Sequence, residues 1–180
     1  MEGRTIAGVI VESKAGREAI LAKRVIDATG DADVALRAGA PMNSTPREEL
    51  QAASVMFHMA GVDKQKFMDG IRENPSTYGS WSSGEWQIET SGKEDDMFSP
   101  YLGKPFEQAI KDGLIPPHLN TIAGTWGAVH DSGEMTYMNL IHLAGVDGTD
   151  PDSLTEWEIE GRRQAMLAIE ALKRYTPGCS

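Results

Sequence analysis

The stretch near the C-terminus constrains the fold more than any other part of the chain. Trp157, Gly161, Ala165, Ala168, Leu172 and Tyr175 recur at three- and four-residue spacing, the spacing at which side chains share one face of an α-helix. The pattern predicts a helix from Thr155 to Tyr175 with a single apolar stripe, so another element must cover that stripe. Thr155 and Glu158 have the spacing of a capping box, in which each can satisfy a free backbone N–H of the first turn. Pro177-Gly178 ends the helix.

Upstream the signals are mixed. Thr5 to Glu12 is rich in β-branched residues and reads as a strand. Ser13 to Arg17 is a turn, and Glu18 to Ala22 runs back as a hairpin partner. Lys23 to Ala28 reads as a second short strand ending at Thr29-Gly30, with Asp31 as N-cap of a helix from Ala32 to Ala38 and Gly39 as its terminator. Ser54 to Ala60 reads as a strand, and Asp63 to Arg72 and Phe106 to Asp112 as short helices. Thr121 to His130 and Glu134 to Leu143 flank Asp131-Ser132-Gly133 as a hairpin. In its second arm Met135, Tyr137, Asn139, Ile141 and Leu143 fall on one face by the two-residue period. Ser76 to Pro100 reads as loops around one strand, Glu85 to Thr90. Trp81, Trp86 and Tyr78 lie there, either anchoring the loop to the core or stacking on a flat ligand.

The chain has 180 residues and a formal net charge of -10, which disfavours nucleic acid and anionic membrane as partners. Cys179 is the only cysteine, so no intramolecular disulfide and no paired-cysteine zinc motif is possible. No apolar run is long enough to span a bilayer, and Met1-Glu2-Gly3-Arg4 does not open a signal peptide. The expected location is the cytoplasm.

The chemistry points to one run, Val25-Ile26-Asp27-Ala28-Thr29-Gly30-Asp31-Ala32-Asp33-Val34-Ala35. A strand ends in a small residue, a hydroxyl residue and a glycine, and a helix starts at once. Small residues let a ligand approach the backbone closely, and Gly30 permits a sharp turn. The same residues also suit a plain strand-to-helix turn, and local physics does not choose between the two.

Extended to Leu36-Arg37-Ala38-Gly39-Ala40-Pro41, this run resembles the Ala-Thr-Gly segment of FAD-dependent oxidoreductases with the two-dinucleotide-binding-domain flavoprotein fold. Asp147-Gly148-Thr149-Asp150-Pro151, Glu160-Gly161-Arg162-Arg163-Gln164 and Tyr175-Thr176-Pro177-Gly178 are similar to the end of the substrate-side domain in the same bacterial family. Met56 to Asp63 is similar to a strand after the Ala-Thr-Gly segment there. The resemblance implies an α/β protein (α+β for these residues alone). Residues 1–41 would be the rear of an FAD-binding domain, residues 42–150 an antiparallel substrate-side domain, and residues 151–180 a helix returning toward the FAD domain. It implies Ala28, Thr29, Gly30 and Asp31 as FAD-binding residues, and hydride transfer from a small organic substrate to flavin in the complete enzyme. The family's Gly-x-Gly-x-x-Gly loop, whose helix N-terminus holds the pyrophosphate, does not occur in these residues. Nor does the family's closing segment after the Pro-Gly. The expectation is an internal fragment, inactive alone, that does not retain FAD and self-associates through an exposed sheet edge. The alternative is a non-enzymatic interaction module, or a subunit completing another chain.

No catalytic residue can be assigned. His58 and His142 lie in strand-like apolar runs and read as buried, satisfied histidines. His118 reads as loop, and His130 abuts the hairpin turn beside Asp131, but neighbours on a strand point to opposite faces. None of the histidines has metal-ligand spacing.

Overall fold

The computed structural model describes residues 5–73, 78–79 and 101–179. The strand expected over Glu85 to Thr90, with Trp81 and Trp86, lies outside them. The fold mixes helices with antiparallel sheets, and the chain divides into two compact units, Met1–Thr45 and Pro46–Ser180.

In the first unit, β1 (Gly8–Ser13) and β2 (Gly16–Leu21) form an antiparallel hairpin. Ser13 Oγ accepts from the Ala15 N–H at 3.1 Å, and Gly16 supplies the positive φ of 110° that closes the turn. None of this unit's described residues is buried. The strand expected over Lys23 to Ala28 is not formed: the segment pairs with no strand among the described residues, and Ile26 is 89% exposed. β-Branched composition favours extended backbone, but only a neighbour's N–H and C=O groups make it a strand. Helix α1 is shorter than expected, Asp33–Arg37.

The second unit holds the hydrophobic core. Strands β3 (Phe57–Met59), β6 (Ala128–Val129) and β7 (Met135–Met138) form an antiparallel sheet in the order β3-β7-β6. A two-stranded pair, β4 (Tyr78–Gly79) and β5 (Tyr101–Leu102), is separate from it. Three helices complete the unit: α2 (Lys64–Glu73), α3 (Lys104–Lys111) and α4 (Pro151–Tyr175). Phe67 of α2 meets Trp126 edge-on at 5.1 Å, an arrangement aromatic quadrupoles favour. Gly161, Ala165, Ala168 and Leu172 of α4 are buried as their spacing predicts, and α4 packs on α3.

Two expectations here are corrected. Helix α4 begins four residues before Thr155. Its N-cap is Asp150, whose carboxylate accepts from the Asp152 N–H at 3.0 Å, and Pro151 occupies the first turn, where its fixed φ suits a helix. Thr155 therefore sits inside the helix, its hydroxyl donating to the Pro151 carbonyl at 2.8 Å, and Glu158 pairs with Arg162 at 2.6 Å. The alternation along the hairpin's second arm also breaks. Met135 and Met138 are fully buried, whereas Tyr137 is 54% exposed with a φ of 51°. A single left-handed residue shifts the phase of the strand by one position.

Candidate functional site

Ala28, Thr29, Gly30 and Asp31 are all exposed and form one turn before α1. The residue that builds the turn is Asp27. Its Oδ1 accepts from the Thr29 hydroxyl at 2.7 Å and the Thr29 N–H at 3.1 Å, and its Oδ2 accepts from the Ala35 N–H at 2.8 Å. The Thr29 hydroxyl oxygen in turn accepts from the Asp33 N–H at 2.8 Å. One carboxylate and one hydroxyl thus satisfy N–H groups that the start of a helix leaves open. These bonds, that from the Thr29 hydroxyl first, hold the Asp27 carboxyl below its ordinary value.

Asp31 is not the N-cap that its position suggested. The cap position belongs to Ala32, at φ 60° and without a side-chain cap bond, because Asp27 and Thr29 already supply the acceptors. The Asp31 carboxylate is left facing solvent. Gly30 has a φ of 89°, and a Cβ placed on it meets no atom within 4 Å. Sequence reading missed Asp27 as the organiser of the turn. The signal was there as Asp-x-Thr, an aspartate whose side chain reaches the backbone N–H two residues on.

The histidines are scattered. His142 is half-buried, with Nε2 3.0 Å from the Ala123 carbonyl oxygen, as expected of a satisfied histidine. His58, expected to be buried, is exposed instead. It lies between half-buried Phe57 and buried Met59 and points to the opposite face of β3. His118 is exposed in the 3-10 turn Pro117–Leu119. His130 is exposed at the hairpin end, while Asp131 pairs with Lys64 at 3.0 Å. Among the described residues no three His, Cys, Asp or Glu side chains gather as a metal site would require. Cys179 is buried, and that desolvation pushes its thiol up to about 12, which disfavours the thiolate. No helix among the described residues is long and apolar enough to cross a membrane.

The family model for FAD dependent oxidoreductases matches residues 1–180. The chain belongs to the FAD-dependent oxidoreductase family. The match spans both compact units, so the hairpin with its Asp27 turn and the antiparallel domain are both parts of this family's chain. No curated protein and no solved structure matches.

Proposed function

We propose that the Ala28–Asp31 turn is one wall of an FAD site, and that the complete enzyme passes hydride from a small organic substrate to the flavin. When bound, FAD supplies the two-electron chemistry. The observation that carries the reading is a turn held rigid from behind and open in front. Asp27 clamps it through both carboxylate oxygens, while the side of Gly30 where a Cβ would stand is empty.

The donor set narrows which part of FAD fits. Asp31 offers an exposed acceptor for ligand hydroxyls, and the same turn carries the carboxylates of Asp27 and Asp33. Such a turn suits the hydroxyl-bearing ribityl or ribose portion and repels the pyrophosphate. A pyrophosphate needs backbone N–H groups or cations, and the sequence has no Gly-x-Gly-x-x-Gly loop to supply them. A polypeptide of these 180 residues is therefore expected to purify without flavin. Ala28 is small enough not to crowd a ligand, and Thr29 acts on the turn rather than on the ligand, because its hydroxyl is already committed on both sides.

The test is Gly30→Leu in a homologue that contains the phosphate loop, read as flavin per folded protein together with the thermal midpoint of the cofactor-free form. Lost flavin is expected, with the midpoint lowered only by the left-handed strain at this position, about 1 kcal/mol. Full flavin with a lowered midpoint would return the segment to an ordinary turn.

A second reading, an interaction module that completes another chain or self-associates, draws on the surface of the first unit. Ile10, Leu21 and Ile26 are 72%, 80% and 89% exposed, and the Lys23–Ala28 backbone pairs with no strand among the described residues. Unpaired, apolar extended segments recruit other chains. Sedimentation of the chain over a wide concentration range tests this, and a clean monomer throughout refutes it.

A further inference from the structure

Helix α4 has a second face besides the one buried against α3 and the core. Along it every seventh residue falls in one column: Asp152, Ile159, Met166 and Lys173. All four are exposed, and Ile159 and Met166 are each 66% exposed. A seven-residue repeat is the line that a second helix crossing at about 20° can follow. The two arginines at the middle of the column carry their own counter-charges: Arg162 pairs with Glu158 at 2.6 Å and Arg163 with Glu160 at 3.4 Å. The helix dipole accounts for an acid in the first turn and bases in the last. A single exposed apolar residue is ordinary as well. Neither accounts for two apolar residues at mid-helix, in line with an acid on one side and a base on the other.

We propose that this column is a self-association surface, on which α4 of a second copy lies antiparallel about a two-fold axis at Arg162 and Arg163. The order of the residues selects both the occupant and its direction. Read forward the column is acid, apolar, apolar, base, and read backward it is the complement of itself. In the antiparallel register Asp152 of one copy meets Lys173 of the other, Ile159 meets Met166, and each contact is made twice. A parallel pair would set Asp152 on Asp152 and Lys173 on Lys173, like charge on like. The same register overlaps the two helices along their full length, because the midpoint of Pro151–Tyr175 is Arg163. A contact one helix wide is at the small end of specific interfaces, so the dimer is weak and concentration-dependent. The column belongs to the second unit, whereas Ile10, Leu21 and Ile26 belong to the first, and it needs no flavin.

The test is sedimentation equilibrium of the full chain over a wide concentration range. It is run at about 0.15 M salt, where the net charge of -10 is screened beyond about 8 Å. A reversible monomer–dimer equilibrium is expected. Ile159→Asp and Met166→Asp each abolish the dimer and leave the monomer's thermal midpoint near the parent value, since both side chains are exposed. Asp152→Lys and Lys173→Asp each set like charges together at two contacts and weaken the dimer about tenfold. Asp152→Lys does so even though it reduces the net charge. The double variant Asp152→Lys, Lys173→Asp restores both contacts at the parent net charge and recovers the parent's dimer. Ile26→Asp leaves the dimer intact. A monomer throughout overturns the proposal and leaves the face to a different chain. So does a dimer that persists in Ile159→Asp, or a charge-swapped double variant no tighter than the single ones. A dimer removed by Ile26→Asp also overturns it and assigns self-association to the first unit. The flavin content of Gly30→Leu bears on none of these outcomes.

Discussion

In the Met1–Thr45 unit, Asp27 Oδ1 accepts from the N–H and the hydroxyl of Thr29 at 3.1 and 2.7 Å. In the Pro46–Ser180 unit, Asp147 Oδ1 does the same with Thr149 at 2.9 and 2.7 Å. Both Asp-x-Thr turns lead into a helix. The first helix runs five residues and buries none of them. The second runs 25 residues and buries Gly161, Ala165, Ala168 and Leu172 of its stripe, with Trp157 and Tyr175 half-buried. The turns are alike locally, and what differs is the surface beneath the helix. Turn chemistry sets where a helix starts, and burial against a core sets how far it runs, since a short helix without tertiary support is marginal in water. The first unit offers α1 no core, while the second packs α4 against α3.

The contrast breaks most directly at a large apolar residue in each unit. Phe67 is 1% exposed and locked against Trp126, so Phe67→Ala is expected to cost about 3–5 kcal/mol. Ile26, at 89% exposed, loses almost nothing, and Ile26→Ala should fall within about 0.5 kcal/mol of the parent. Urea unfolding measures both. A cost at Ile26 comparable to that at Phe67 would mean the first unit is covered in solution by something that buries it.

Two glycines of positive φ sharpen the contrast at the backbone. Gly178, at φ 80°, would place a Cβ 2.5 Å from the Asp63 carbonyl oxygen and 2.7 Å from the Phe67 nitrogen. Both are backbone atoms, held where the chain's end joins α2 through the Asp63 N–H to Gly178 carbonyl bond of 2.8 Å. Gly178→Ala combines left-handed strain with that overlap, for an expected loss of about 2–4 kcal/mol. Gly30, at φ 89° with empty space around its Cβ position, carries the strain alone, about 1 kcal/mol. Equal losses would mean that the tail does not press on α2.

How much of this was legible in the sequence follows the same division. The stripe of α4 was readable because its period is fixed by helix geometry and the core it meets lies in the same unit. Its start was misplaced at Thr155 because Asp150-Pro151 offers an earlier cap, and an early cap wins when the extra residues cost little. The Lys23–Ala28 strand was over-read: composition reports what a segment favours, not whether a partner is beside it. The outward placement of His58 and Tyr137 was hidden for a similar reason. A bulge depends on the register of two strands far apart in sequence, and no local pattern encodes it. The Ala28–Asp31 turn was located correctly as a turn, but its organiser, Asp27, was passed over in favour of Asp31.

The smallest expected effect separates the two Asp-x-Thr turns themselves. Asp27 uses both carboxylate oxygens, Oδ1 for Thr29 and Oδ2 for Ala35, whereas Asp147 meets its turn through Oδ1 alone. An asparagine has one acceptor oxygen and one donor nitrogen. Asp147→Asn can keep its oxygen on Thr149, and α4 retains Asp150 as its cap in any case. Asp27→Asn must turn its amide N–H₂ toward either the Ala35 N–H or the Thr29 N–H, a donor against a donor, so one end of the clamp opens. Amide hydrogen exchange at Ala35 and Thr29 should therefore quicken in Asp27→Asn, while exchange at Thr149 in Asp147→Asn stays near the parent value. Acid offers the same comparison without mutation. Both carboxyls are held below their ordinary value of 3.8, foremost by the Thr29 hydroxyl in one turn and the Thr149 hydroxyl in the other. A depressed carboxyl contributes stability that is fully present above the unfolded value and is lost as pH falls through the folded one. Both turns therefore hold above about pH 4 and loosen below it. On protonation, an acid O–H replaces one acceptor of the Asp27 clamp, and the Thr29 hydroxyl oxygen on the Asp33 N–H is left as the side-chain acceptor at the start of α1. Protection of the Ala35 amide, taken relative to its intrinsic exchange rate at each pH, should thus fall on acidification before protection along α4 does, and loss of the two in step would show that the first unit's helix is supported by more than its turn.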